Sequence, residues 1–104
     1  MLNGQLAKSS GLLASSGSDQ VVLAAPGVYC GATLVGGSDA SSLVIYDNAS
    51  ASSGTKLDQL SIIGQTTAGD DSVFHDHRND VAKLGITVVV TGTGATAVVW
   101  YKPL

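Results

Sequence analysis

Short runs of β-branched and aromatic residues, separated by turns rich in glycine and serine, constrain this chain more than any other feature. In the run ITVVVT, Ile86, Val88 and Val90 share one side of the chain. Alternation with a period of two is typical of a strand that buries one face. No stretch has the 3.6-residue apolar spacing of a convincing helix. The sequence therefore predicts an all-β domain.

From Gln20 onward, strand-like segments follow one another at the spacing of an antiparallel β-sandwich or a jelly roll. They are 20–24, 28–35, 42–47, 55–63, the short segment VFH (73–75), 84–92 and 96–102. Thr93-Gly94-Ala95, between the last two, predicts a tight hairpin. The predicted fold is an all-β antiparallel sandwich, jelly-roll-like, with about seven strands and an N-terminal arm.

Alternation also separates the two faces of the other strands. The residues that share a side are Leu43 and Ile45, Leu60 and Ile62, and, in 28–35, Val28, Cys30, Ala32 and Leu34 opposite Tyr29, Gly31, Thr33 and Val35. Trp100 and Tyr101 are adjacent on a strand and must face opposite sides. We predict that Trp100 fills the core, since Val98 shares its face, and that Tyr101 lies at a surface, where aromatic residues favour interfaces.

The first nineteen residues differ from the rest, so the predicted organisation is an arm at 1–19 and a sandwich at 20–104. The arm mixes glycine and serine with isolated leucines, which are Leu2, Leu6, Leu12 and Leu13. Gly4 and Gly11 disfavour a helix that would align three of these leucines. We predict an extended arm or a loosely held first strand that becomes ordered against a partner. The four leucines are its predicted partner-binding residues.

Charged residues make up only 12% of the chain, about half the usual share. The net charge is −3 and the five basic residues are scattered, which disfavours nucleic-acid binding.

The start of the chain is too polar for a signal peptide or a membrane span. One cysteine excludes an intramolecular disulfide framework. We expect a protein made in a reducing cytoplasm that buries surface against copies of itself or a larger assembly; the alternative is a soluble monomer coated in hydroxyl groups.

His75-Asp76-His77 is the one constellation with metal-binding potential. On a strand both imidazoles would share a face and could bind a metal, at an oligomer axis for example. Further ligands would have to come from a symmetry-related copy or from Asp70, Asp71 or Asp80. The alternative is a polar loop whose histidines are solvated or hydrogen-bonded, and a single His-x-His favours it. No metal or other cofactor is therefore predicted.

No arrangement of nucleophile and base is visible, so the chain is predicted not to be an enzyme. Cys30 has no basic neighbour in sequence that would favour a thiolate, and no serine lies in a G-x-S-x-G elbow. The glycines of TGTG (91–94) join two strands rather than a strand and a helix, which makes them part of a hairpin and not of a phosphate loop.

The segments VYCGATLVGGSDASSLVIYDNASASSGTKL (28–57) and LGITVVVTGTGATAVVWY (84–101) resemble a small β-sandwich domain that recurs in structural proteins of tailed bacteriophages. The shared pattern is a strand ending in paired glycines, an IYD strand, a loop of small residues followed by TKL, and a closing VVVTGTG strand. Thr87 stands where the family often has an aromatic residue. The resemblance spans Gly27 to Tyr101, and the HDH segment is not part of it.

The resemblance implies a virion component. Its two forms are a capsid decoration (cement) protein on the outer capsid surface and a tail, neck or fibre module that contacts a host surface or another virion protein. A chain of 104 residues that starts at Met1 and has a leucine-bearing arm favours the decoration protein. We expect the arm to lie along the major capsid protein and the sandwich to cluster, as a homotrimer. A metal-dependent domain centred on His75 and His77 is the remaining alternative.

Overall fold

The computed structural model describes residues 6–63 and 71–104, and in these ranges every regular element is a β-strand. The strands are β1 (Lys8–Ser9), β2 (Leu13–Ala14), β3 (Gln20–Leu23), β4 (Gly27–Val35), β5 (Ser41–Asp47), β6 (Thr55–Ile62), β7 (Ser72–His75), β8 (Asp80–Ala82), β9 (Ile86–Thr91) and β10 (Thr96–Pro103). All seven predicted segments are strands. β1 and β2 lie in the segment predicted as an arm or a loosely held first strand, and β8 is an addition that the sequence did not predict.

The strands form two antiparallel sheets, which confirms the predicted all-β sandwich. In the six-stranded sheet, the long strands β4 and β10 pair at the centre. β1 and β2 follow one another along the free side of β10, and β7 and β8 do the same along β4. The four-stranded sheet has the order β3-β9-β5-β6.

The core lies between the two sheets and is built from the alternating residues of the central strands. The predicted inward residues of the four-stranded sheet are all buried: Leu43, Ile45, Leu60, Ile62, Ile86, Val88 and Val90. They pack against Leu34, Val99 and other residues of the six-stranded sheet. Burying each large apolar side chain contributes about 1.5–3 kcal/mol, so these side chains stabilise the pairing of the sheets.

A β-bulge in β4 overturns the predicted alternation of that strand. Trp100 lies opposite Gly31 and Tyr101 opposite Tyr29, so Cys30 is an extra residue without a partner in the register. A bulge reverses the parity of the residues on either side of it. Tyr29 therefore points into the core with Ala32 and Leu34 and is fully buried. The prediction that Val28 and Cys30 share a face with Ala32 was wrong.

The predicted orientation of Trp100 was also wrong. The inward residues of β10 are Ala97 and Val99, which are buried, and Tyr101, which packs against the core. Trp100 lies on the opposite, outer face and is half-buried there. The residues on both sides of β10 are apolar, so the sequence of this strand alone does not determine which side points into the core. The pairing of β10 with β4, in which Ala97 lies opposite Leu34, determines it.

The described part of the predicted arm runs along the edge of β10. Lys8 and Ser9 pair with Tyr101 and Trp100, and the Ser10 amide donates to the Val99 carbonyl over 2.8 Å. The segment is thus an interrupted edge strand, one of the two forms predicted for it. Leu2 lies outside the described residues, and the division at residue 19 stays a prediction.

Candidate functional site

The arm leucines occupy different environments in the structure. Leu6 is 84% exposed and Leu12 is 74% exposed. Leu13 lies opposite Ala97 in β2 and packs against the core. Between β1 and β2 the chain leaves the sheet at Gly11, whose φ of 75° is in the left-handed region. Leu13 therefore fastens the arm, whereas Leu6 and Leu12 are free to contact a partner.

Leu6 and His77, two predicted site residues, meet at one cleft. The cleft has a volume of about 380 Å³, and Lys102, Arg78, Asn79, Cys30 and Ala7 complete its lining. It lies where the arm, the bulge of β4 and the turn between β7 and β8 come together. Two cations, Arg78 and Lys102, line the cleft, and the charge of Arg78 is compensated by the carboxylates of Asp58 and Asp80.

Cys30 lines this cleft as a protonated thiol. Burial raises its pKa, and the nearby charge of Lys102 opposes that effect without overcoming it. The sulfur lies 3.7 Å from the Val28 carbonyl oxygen. A thiol with a raised pKa is a poor nucleophile at neutral pH, in keeping with the small, inert residue that the sequence suggested.

The two histidines do not form the pair that a continuous strand would have given. β7 ends at His75, and His77 has a φ of 55°, so the backbone turns between them. His75 points inward, while His77 is exposed and lies 3.4 Å from Asp76. In the ranges 6–63 and 71–104, no three histidine, cysteine or acidic side chains are grouped so as to hold a metal ion. Asp70, one of the suggested further ligands, lies outside the described residues.

His75 instead belongs to a polar group between the sheets, the Asp58 cluster, which consists of Tyr29, Asp58, His75 and Arg78. The Asp58 side chain is only 7% exposed. Its Oδ2 accepts a hydrogen bond of 2.7 Å from the Tyr29 hydroxyl and lies 2.8 Å from His75 Nδ1. Its Oδ1 lies 3.3 Å from Arg78 Nη1 and accepts the Gln59 amide over 2.8 Å. Each oxygen of the buried carboxylate thus has two partners.

The bulge of β4 positions this cluster. β7 pairs with Ala32 to Val35 and β8 with Gly27 to Tyr29, so the turn between them faces the bulge. There the Arg78 amide donates to the Cys30 carbonyl over 3.0 Å. The Arg78 side chain then reaches the Leu57 carbonyl at 3.1 Å and lies 5.8 Å from the centre of the Tyr29 ring, within cation–π range. The bulge in β4 therefore orients the side chains of both Tyr29 and Arg78 towards Asp58.

The electrostatics of the cluster keep Asp58 ionised. Burial raises the pKa of Asp58, but the hydrogen bonds from His75 and Tyr29 outweigh burial and lower it overall. For Tyr29, burial and then the hydrogen bond to Asp58 raise the pKa far above its usual range. Burial disfavours the Arg78 cation, but the carboxylates of Asp58 and Asp80 outweigh this and raise its pKa. The Asp58 carboxylate, with two partners at each oxygen, therefore links the two sheets.

Sequence reasoning did not find the Asp58 cluster, although one signal was present. Leu60 and Ile62 were placed inward, and Asp58 has the same parity, which puts an acidic residue on the buried face. A buried carboxylate needs cationic or hydrogen-bonding partners. Its side-chain partners come from β4, from β7 and from the turn after β7, and spacing along the sequence does not reveal them.

The comparisons with known proteins give no family for the chain: no protein-family model, no curated protein and no solved structure matches it. Among residues 6–63 and 71–104, no helix has the length and apolar character required to span a membrane.

Proposed function

We propose that this chain is a bacteriophage capsid decoration protein, which binds the outer surface of the shell and stabilises contacts between capsomers. Its partner in this proposal is the major capsid protein, its location is the virion, and it performs no catalysis. The support is the resemblance of 28–57 and 84–101 to a domain of phage structural proteins, together with the sandwich fold that this resemblance implies. The fold and the resemblance point to a class of structural protein, but they do not identify the residues that bind a partner. Those residues have to be found on the surface of the chain.

The observation on which this proposal rests most is the exposure of Leu6 and Leu12 on an edge segment. Both side chains are largely in water, although each would gain about 1.5–3 kcal/mol on full burial. The segment is held at the edge of β10 by the pairs in β1 and β2 and by hydrogen bonds from the Ser10 and Ser15 amides. Exposed apolar side chains on such an edge segment are suited to docking on another protein surface.

Binding to shells of the major capsid protein tests this assignment. We expect the double variant Leu6→Asp/Leu12→Asp to fold as the parent does and to lose shell binding in a sedimentation assay. Ile63→Asp is the matched control, because Ile63 is as exposed as Leu6 but lies after β6 in the other sheet. Equal binding by the parent and the double variant would overturn the role of the arm. Removal of residues 1–14 is a less clean test, because it also removes Leu13 from the core.

The second candidate is a tail, neck or fibre module that contacts a host surface or another virion protein. Trp100 and Phe74 favour it, because both lie on the outer face of the six-stranded sheet, on strands that flank β4. Aromatic side chains on one exposed face are suited to binding carbohydrate or protein. The number of copies per particle separates the two candidates, since a decoration protein covers the shell and a tail module does not.

A further inference from the structure

We draw no further inference here: the strongest candidate, the outer face of the six-stranded sheet, where Trp100 and Phe74 lie on the strands either side of β4, carries none, because nothing in the described part of the chain shows what covers it.

Discussion

Tyr29 and Asp58 join the two sheets of the sandwich: the hydroxyl of Tyr29 on β4 donates to Oδ2 of Asp58 on β6 over 2.7 Å. Both side chains are almost fully buried. A buried carboxylate is stable only where its partners replace the hydrogen bonds of water. Here the side-chain partners, which are Tyr29, His75 and Arg78, belong to the opposite sheet or to the turn after β7, so the Asp58 cluster couples the two layers.

The hydrogen bond from Tyr29 is expected to contribute measurably to stability. Tyr29→Phe removes the donor but leaves Asp58 with His75 and Arg78, so we expect the free energy of unfolding to fall by about 1–2 kcal/mol. Urea denaturation measures this change. Tyr46→Phe is the control, because the Tyr46 hydroxyl makes no hydrogen bond among the described residues, and we expect a change within about 0.5 kcal/mol. Equal effects of the two substitutions would contradict the role given to Tyr29.

The Asp58 cluster should also make stability depend on acid pH. The pKa of Asp58 in the folded chain is lowered below its unfolded value of about 3.9, so on acidification the unfolded chain takes up the proton first. The stability that the ionised carboxylate contributes is therefore present above about pH 5 and is lost as the pH falls through the folded pKa. Between about pH 5 and 3, we expect the free energy of unfolding of the Asp58→Asn variant to fall less steeply with decreasing pH than that of the parent chain.

Two other carboxylates with lowered pKa values, Asp39 and Asp47, keep part of this acid dependence in the variant. Asp76→Asn is the control, because the Asp76 side chain is half exposed. Urea denaturation at a series of pH values gives the slopes. An Asp58→Asn slope equal to that of the parent would contradict the pKa shift.

Gly31 is required by the bulge of β4. Its φ is 152°, and a Cβ atom at this position would clash with the carbonyl oxygen of His75. We expect Gly31→Ala to lower the free energy of unfolding by about 2 kcal/mol or more. Gly11→Ala is the matched case, since Gly11 also has a positive φ but open space around it, and we expect a loss of about 1 kcal/mol. Thermal denaturation compares the two, and an equal loss would refute the steric argument.

Adjacent leucines in the arm should differ in their effect on folding. Leu13→Ala removes a partly buried side chain from the core, and we expect a loss of about 1–2 kcal/mol. Leu12→Ala changes a side chain that is mostly in water, so we expect a change within about 0.5 kcal/mol. The free energies of unfolding of the two variants measure this difference. If both variants were as stable as the parent, the arm would not be fastened at Leu13 in solution.

Regular strands were predictable from the sequence because their alternation has one interpretation. Ile86, Val88 and Val90 were placed in the core correctly, since no bulge interrupts β9 between them. In β4 the strict alternation of side chains is interrupted at one residue, Cys30. The side chains before Cys30 therefore lie on the face opposite to the one predicted. The available signal was Gly31, because a glycine inside a strand often marks a bulge.

Features that depend on distant segments could not be predicted in the same way. The orientation of Trp100 follows from the register of β10 on β4, and both of its possible faces are apolar. His75 was singled out for its neighbour His77, whereas its partner in the structure is Asp58, seventeen residues earlier.

Copy number in purified particles tests the proposed function most directly. Quantitative mass spectrometry would count this chain against the major capsid protein in intact virions. A decoration protein covers a lattice of equivalent capsid positions, so the account predicts copies on the order of hundreds per particle. A count of roughly six to a few dozen, as expected at the symmetry of a tail or neck, or absence from the particle, would contradict it.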